Sequence, residues 1–261
     1  MDLGLKDRLV VVSGASRGIG LACATAFAQE GARVVGLARN AGGLEAARSQ
    51  LAALGLEMPV IAVDLVDAQA ACAAVERIED MHGPIEVLVN SAGAARRYAP
   101  IELDAQAFRQ AMDAKYFTYV HLIEPVIRAM AERRRGTIVN VIGQGGRVAT
   151  PMHIAGGSAN AALMLTTVGY ARAHAAEGVR VNAINPGLTR TSRVEEGLEA
   201  ESRATGRSRD ALLSDQLARI PMGRMAEPDE VARVALFLAS DAASYVTGAI
   251  VPMDGGVASV I

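Results

Sequence analysis

Short, uninterrupted apolar runs alternate along this chain with longer stretches in which apolar residues recur at helical spacing. The runs at 10–12, 34–37, 60–63, 87–89, 138–142, 179–184 and 250–251 are rich in valine and isoleucine. They lack the in-out polar alternation of a half-exposed strand, so they predict strands of a sheet covered on both faces. Between them, alanine-rich segments at 18–30, 43–54, 67–81, 104–132, 158–176 and 228–239 predict helices. Strand and helix alternate from one end to the other, which predicts a parallel sheet with right-handed crossovers, a doubly wound α/β architecture. No repeat, low-complexity tract or linker interrupts the order, so residues 1–261 are expected to form a single domain.

One segment breaks the rhythm. Residues 189–220 are crowded with arginine and carboxylates and carry little apolar pattern before Leu212. The segment directly follows a predicted strand, and ligands of such sheets bind beyond the strand carboxyl ends, so a short helical lid over the site is expected there.

Composition narrows the classes. No apolar run reaches the roughly 18 residues that span a bilayer. The opening charges Asp2, Lys6, Asp7 and Arg8 precede only a short apolar run, unlike a signal peptide. A cytoplasmic protein without membrane contact is expected. A net charge of -2 and a pI near 6.1 leave no global basic field for nucleic acid. Cys23 and Cys72 lack C-x-x-C spacing and are expected to be reduced, with no metal site.

Candidate chemistry begins after the first strand, in "VVVSGASRGIG", where Gly14, Gly18 and Gly20 enter a helix. Glycines there permit a tight turn and close backbone approach, and the free N–H groups of a helix start suit a dinucleotide pyrophosphate. Ser16 can add its hydroxyl. An NAD-selective site needs a carboxylate at the end of the second strand, but Ala38 stands there. Arg17 and Arg39 are instead placed to hold a 2′-phosphate, which favours NADP(H) over NAD(H).

The G-x-x-x-G-x-G spacing resembles the short-chain dehydrogenase/reductase family, and later motifs agree in order. They are "NSAG" at 90–93, Asp64 in "AVDL", "NPGLTRT" at 185–191, and the stretch from "RIPMGRMAEPDEVA" to "VPMDGG" at 219–256. The resemblance implies a Rossmann fold and a nicotinamide cofactor. It implies cofactor contacts from Gly14, Ser16, Arg17, Gly18, Ile19 and Gly20, from Arg39, and from Asp64 and Leu65. Further contacts are implied for Asn90, Ala92 and Gly93, and for Pro186, Gly187, Thr189 and Thr191. It also implies a small-molecule substrate and a homodimer or homotetramer built on the helices at 104–132 and 158–176.

The departure from the family lies in its catalytic set. The positions of the family's serine, tyrosine, lysine and relay asparagine hold Gly143, Gly156, Asn160 and Lys115. Lysine and asparagine have changed places between two helices. Lys115, Asn160 and the nearby His153 are therefore the candidate catalytic residues. Tyr116 and Tyr119 are set aside, because one helix cannot turn residues 115, 116 and 119 to a single pocket. The glycines at 143, 145, 146, 156 and 157 are expected to clear volume for substrate. The leading reading is an oxidoreductase with a non-standard acid/base set, reducing a carbonyl, imine or activated alkene. Its rivals are a lyase or isomerase using Lys115, and a catalytically silent NADP(H)-binding protein.

Overall fold

The computed structural model describes residues 2–93 and 96–258. Seven parallel strands form one sheet in the order β3-β2-β1-β4-β5-β6-β7. They are β1 (Leu9–Ser13), β2 (Arg33–Ala38), β3 (Val60–Ala62), β4 (Val87–Asn90), β5 (Gly136–Val141), β6 (Val179–Pro186) and β7 (Ile250–Met253). The order reverses between β1 and β4, so the crossovers diverge there and open a crevice at the strand carboxyl ends.

Successive strand residues point to opposite faces, and both faces are filled. Val10, Val12, Val87 and Val89 enter one core with residues of helices α1 (Gly18–Gln29), α2 (Ala41–Ala53) and α9 (Pro228–Ala239). Leu9, Val11 and Leu88 enter the other core, against α3 (Ala68–His82), α5 (Thr118–Glu132) and α6 (Ile154–His174). Each such side chain contributes about 1.5–3 kcal/mol on leaving water. This two-faced burial explains why the strands read as continuous apolar runs.

Three departures from the sequence pattern shape the site. The segment expected as one helix at 104–132 is α4 (Ala105–Ala111), a π-helical stretch Met112–Phe117, and then α5. Helix α6 begins at Ile154, four residues before its expected start, because the turn Pro151–His153 feeds straight into it. Its early glycines, Gly156 and Gly157, are poor helix formers, but tertiary packing overrides that propensity. The polar segment after β6 holds two helices, α7 (Ser192–Thr205) and α8 (Arg209–Ala218). Gly206 ends the first with φ 69, and the Ser208 side chain caps the second.

Among the described residues, no helix is long and apolar enough to cross a membrane, and no cluster of His, Cys, Asp and Glu is set to hold a metal ion. Both cysteines are free.

Candidate active site

The strand ends are tied together before any ligand is considered. Ser13, Asn90 and Asn140 sit in register on β1, β4 and β5. The Asn90 amide donates to Asn140 Oδ1 at 3.0 Å, and the Asn140 amide donates to Thr167 Oγ1 of α6 at 3.0 Å. Ser13 Oγ accepts from the backbone N–H groups of Ser91 and Ala92. All four polar side chains are buried, so this satisfied network fixes one geometry for the crevice floor. Asn90 was expected to touch the cofactor. Its side chain is spent on the sheet instead, which leaves only its main chain for that role.

The β1–α1 turn is made by close backbone approach. A Cβ on Gly20 would lie 2.2 Å from the Gly14 oxygen, and one on Gly14 would lie 2.8 Å from the Ser91 oxygen. Gly14 and Gly18 have φ values of 72 and 58, a region that favours glycine. No side chain caps the start of α1, so its first N–H groups, Ile19 included, remain open to an anion. Ser16 packs beside Gly43. Thr191 comes within 3.3 Å of a Cβ placed on Gly18, so the "PGLTRT" segment closes over this cradle. Thr189 is buried, with its hydroxyl on the Gly187 carbonyl, and Gly187 is pressed against Asp254. Pro186 ends β6.

At the β2 and β3 ends, Ala38 is the last strand residue and Arg39 is exposed, with no ion pair among the described residues. Asp64 is exposed beside the buried Leu65, and its carboxylate accepts from Val66 N–H. Arg17 differs from its expected disposition. Its guanidinium crosses to α7, bonding Ser192 Oγ and Glu196 at 2.9 Å. Such an exposed ion pair is worth at most about 1 kcal/mol, so an arriving phosphate can displace Glu196. Of the two arginines, Arg39 alone stands unpaired.

The other half of the crevice is made by side chains. The π-helical stretch widens one turn, and Gly93 lies so close to it that a Cβ would sit 2.1 Å from the Ala114 oxygen. Lys115 is only 8% exposed. Its ammonium donates to Tyr119 Oη at 2.7 Å and to the Val141 carbonyl, the last of β5, at 3.1 Å. Burial, with Arg193 as a second cause, lowers its pKa from 10.5 to about 7. Tyr119 also donates to the Val141 carbonyl, and burial pushes its phenol well above the usual range.

Residues 115, 116 and 119 do not all turn to one pocket, although one of the two tyrosines meets Lys115. Tyr116 turns to Thr166 of α6, whereas Tyr119, four residues on, reaches the ammonium. The i, i+4 relation permits this pairing.

Asn160 is 5% exposed and makes no side-chain hydrogen bond among the described residues. Its Nδ2 lies 3.2 Å from where a Cβ on Gly143 would be, over the end of β5. His153 packs against Gly145, with its ring Cδ2 2.8 Å from a Cβ placed there. Its buried Nδ1 has no partner among the described residues, and its pKa is lowered by burial, by Arg97 and by Lys115. Lys115, Asn160 and His153 thus converge on the carboxyl end of β5. His153 is held neutral, which suits hydrogen bonding better than proton donation.

Two of the glycines of this connection, Gly146 and Gly157, are taken up by close packing and do not open volume for substrate. A Cβ on Gly157 would lie 2.6 Å from the Gly145 oxygen, and one on Gly146 would lie 2.8 Å from Ala161 N. They bring the loop flush against α6, which is what lets His153 and Asn160 reach over the strand end.

Two residues escaped the sequence reading. Arg193 of α7 donates to the Gly93 carbonyl at 3.3 Å and acts on Lys115. Asn185 has a buried Oδ1 without a partner among the described residues. Nothing in local sequence distinguishes Arg193 from its charged neighbours; only the docking of α7 does.

Comparison with known proteins agrees along the whole chain. The profile of the family described as Enoyl-(Acyl carrier protein) reductase matches residues 14–258. A galactitol 2-dehydrogenase (L-tagatose-forming) of Cereibacter sphaeroides is 38% identical, with 97% of this chain and 95% of the relative covered. A cis-4-hydroxycyclohexanecarboxylate dehydrogenase of Sinomonas cyclohexanicum is 36% identical, with 100% of each chain covered. Among solved structures, L-sorbose reductase from Gluconobacter frateurii complexed with NADPH and L-sorbose has a TM-score of 0.92 at 28% identity, with 100% of each chain covered.

Proposed function

This chain belongs to the short-chain dehydrogenase/reductase family and is a nicotinamide-dependent oxidoreductase of small carbonyl substrates; within it, we propose an NADP(H)-dependent reductase whose acid/base group is Lys115. The cofactor preference rests on Arg39, which has no ion pair among the described residues and stands beside Ala38 where a carboxylate would select NAD(H). Gly14, Ser16, Gly18, Ile19 and Gly20 hold the pyrophosphate, Asp64 and Leu65 the adenine edge, and Ala92, Gly93, Pro186, Gly187, Thr189 and Thr191 the remainder. When bound, the cofactor supplies or accepts the hydride.

The single observation that carries the acid/base assignment is the buried Lys115 ammonium, aimed at the end of β5 with no carboxylate partner among the described residues. Two of its N–H bonds are fixed by Tyr119 and Val141, which orient the remaining one. In reduction, Lys115 gives a proton to the forming alkoxide and Asn160 donates a hydrogen bond to the same oxygen. Solvent then reprotonates the amine. In oxidation, the neutral amine takes the alcohol proton. Neighbouring cations support negative charge growing on a carbonyl oxygen and disfavour an iminium, so a carbonyl is the substrate group.

The test is the pH dependence of both directions. Reduction is expected to fall as pH rises through about 7 and oxidation to rise through the same value. Lys115→Met should lose about 10²- to 10⁴-fold in kcat while binding NADPH within a few-fold of the parent. An unchanged profile in the variant refutes the assignment.

We further read 1–261 as one domain in which α7 and α8 form the lid. The exposed Phe108, Phe117 and Leu165 on the α4–α5 and α6 surfaces support a homo-oligomer. Light scattering at the monomer mass would count against it.

A further inference from the structure

Helix α7 brings both arginine and carboxylate to the crevice. Its carboxylates are all engaged: Glu195 with Arg209, Glu196 with Arg17, Glu199 with Arg203, and Glu201 with Gln216. The face turned to the crevice carries Arg193 and, one turn on, the buried Gly197. The absence of a side chain at Gly197 makes room for another arginine, because the Arg97 guanidinium lies 3.4 Å from where a Cβ there would be. Arg97 comes from the connection between β4 and α4, and the next residue, Tyr98, is bonded through its N–H to the Met152 carbonyl. The guanidinium groups of two exposed residues, Arg193 and Arg97, therefore lie between α7 and the β4–α4 connection, with His153 beside Arg97. Arg97 has no ion pair or hydrogen bond among the described residues. The charged groups felt by His153 are Arg97 and Lys115, the one felt by Lys115 is Arg193, and the carboxylate felt by Arg193 is Glu196, which it shares with Arg17, so cations outnumber carboxylates in the pocket.

The geometry points to an oxyanion on the substrate itself, a carboxylate or phosphate ester held by Arg97 and Arg193 while the carbonyl faces Lys115. Arg193 borders the cofactor site through Gly93 and Arg17, but cofactor phosphates do not account for Arg97. The pyrophosphate cradle lies at the start of α1 and Arg39 lies at the end of β2, whereas Arg97 follows β4 and meets His153 before α6. Guanidinium forks match carboxylate and phosphate oxygens in paired, charge-assisted hydrogen bonds, and the pocket's excess positive charge needs an anion to balance it. This inference rests on the carbonyl-reductase reading for the direction of the substrate, but its binding test is independent of turnover.

Calorimetric titration of the NADP-saturated full chain with levulinate against its methyl ester, and with dihydroxyacetone phosphate against dihydroxyacetone, separates charge from shape and carboxylate from phosphate. At least one charged member is expected to bind about ten- to hundredfold more tightly than its neutral partner. Arg97→Gln should bring that ratio near one with NADP affinity unchanged, and Arg97→Lys should restore part of it. Equal or undetectable binding within both pairs, or a preference that survives Arg97→Gln, overturns the anion site. Turnover with NADPH reports on the other reading: anion binding without reduction tells against the reductase, whereas equal kcat/KM for charged and neutral members tells against the anion site alone.

Discussion

The turn from β1 into α1 and the connection from β5 into α6 are both rich in glycine, yet they use it in different ways. In the first, glycines let backbone meet backbone so that N–H groups point outward, and the binding surface is the main chain itself. In the second, glycines press a loop onto a helix, and the working surface is the set of side chains that this contact aims: His153, Asn160 and, from across the crevice, Lys115. A site built from backbone is insensitive to most side-chain exchanges. A site built from buried side chains changes with each of them, so the second region is the more sensitive of the two to single exchanges.

The contrast can be broken most severely at Gly20. Gly20→Val would drive its new side chain into the Gly14 carbonyl, 2.2 Å from the Cβ position. NADPH affinity should drop more than about a hundredfold and stability should fall by about 1–3 kcal/mol, read by fluorescence titration and thermal melting. Arg39→Ala tests the same half through a side chain. The ratio of NADP(H) to NAD(H) affinity is expected to fall about tenfold or more, with Arg17→Ala weaker because Arg17 is shared with Glu196. An unaltered ratio in Arg39→Ala would remove the basis for the cofactor preference.

Gly145→Ala probes the second half. The added methyl meets the His153 ring at 2.8 Å, which can shift only by moving the edge of the pocket. A few-fold loss in kcat with unchanged NADPH affinity is expected; a loss of cofactor affinity instead would show that the two halves are not separable.

The smallest effect is on stability. Lys115 is lowered in the fold from 10.5 to about 7, so between those values the unfolded chain binds the extra proton. Stability therefore rises with pH across that window, and the burial penalty is complete below about pH 7. Lys115→Met should melt a few degrees higher than the parent at pH 7 and below, with the difference vanishing near pH 10.5. Equal melting temperatures at every pH would mean that the lysine is not buried as charge.

Much of the architecture was legible because both cores demand it. Strands such as β1 must be apolar at every position when alternate residues enter different cores, and the glycine spacing before α1 follows from distances of 2.2 and 2.8 Å that admit no side chain. The π-helical stretch was not legible, since the residues at 112–117 have ordinary helical character and the widened turn is set by contact with Gly93. The early start of α6 was hidden by its glycines. The inward turn of Arg193 was hidden among charges that look equally solvated.

The sequence by itself determined the parallel sheet, the glycine turn before α1, Ala38 at the end of β2 and, by resemblance alone, an exchange of lysine with asparagine, because these depend on local spacing and residue type. Tertiary structure alone decided what the exchange means. Whether an ammonium faces water or a strand end depends on which helix turn is widened, on a tyrosine four residues away and on a carbonyl from β5. Those partners are local in space and distant in sequence, and the free energy of a buried charge is set by the atoms around it, not by its neighbours along the chain.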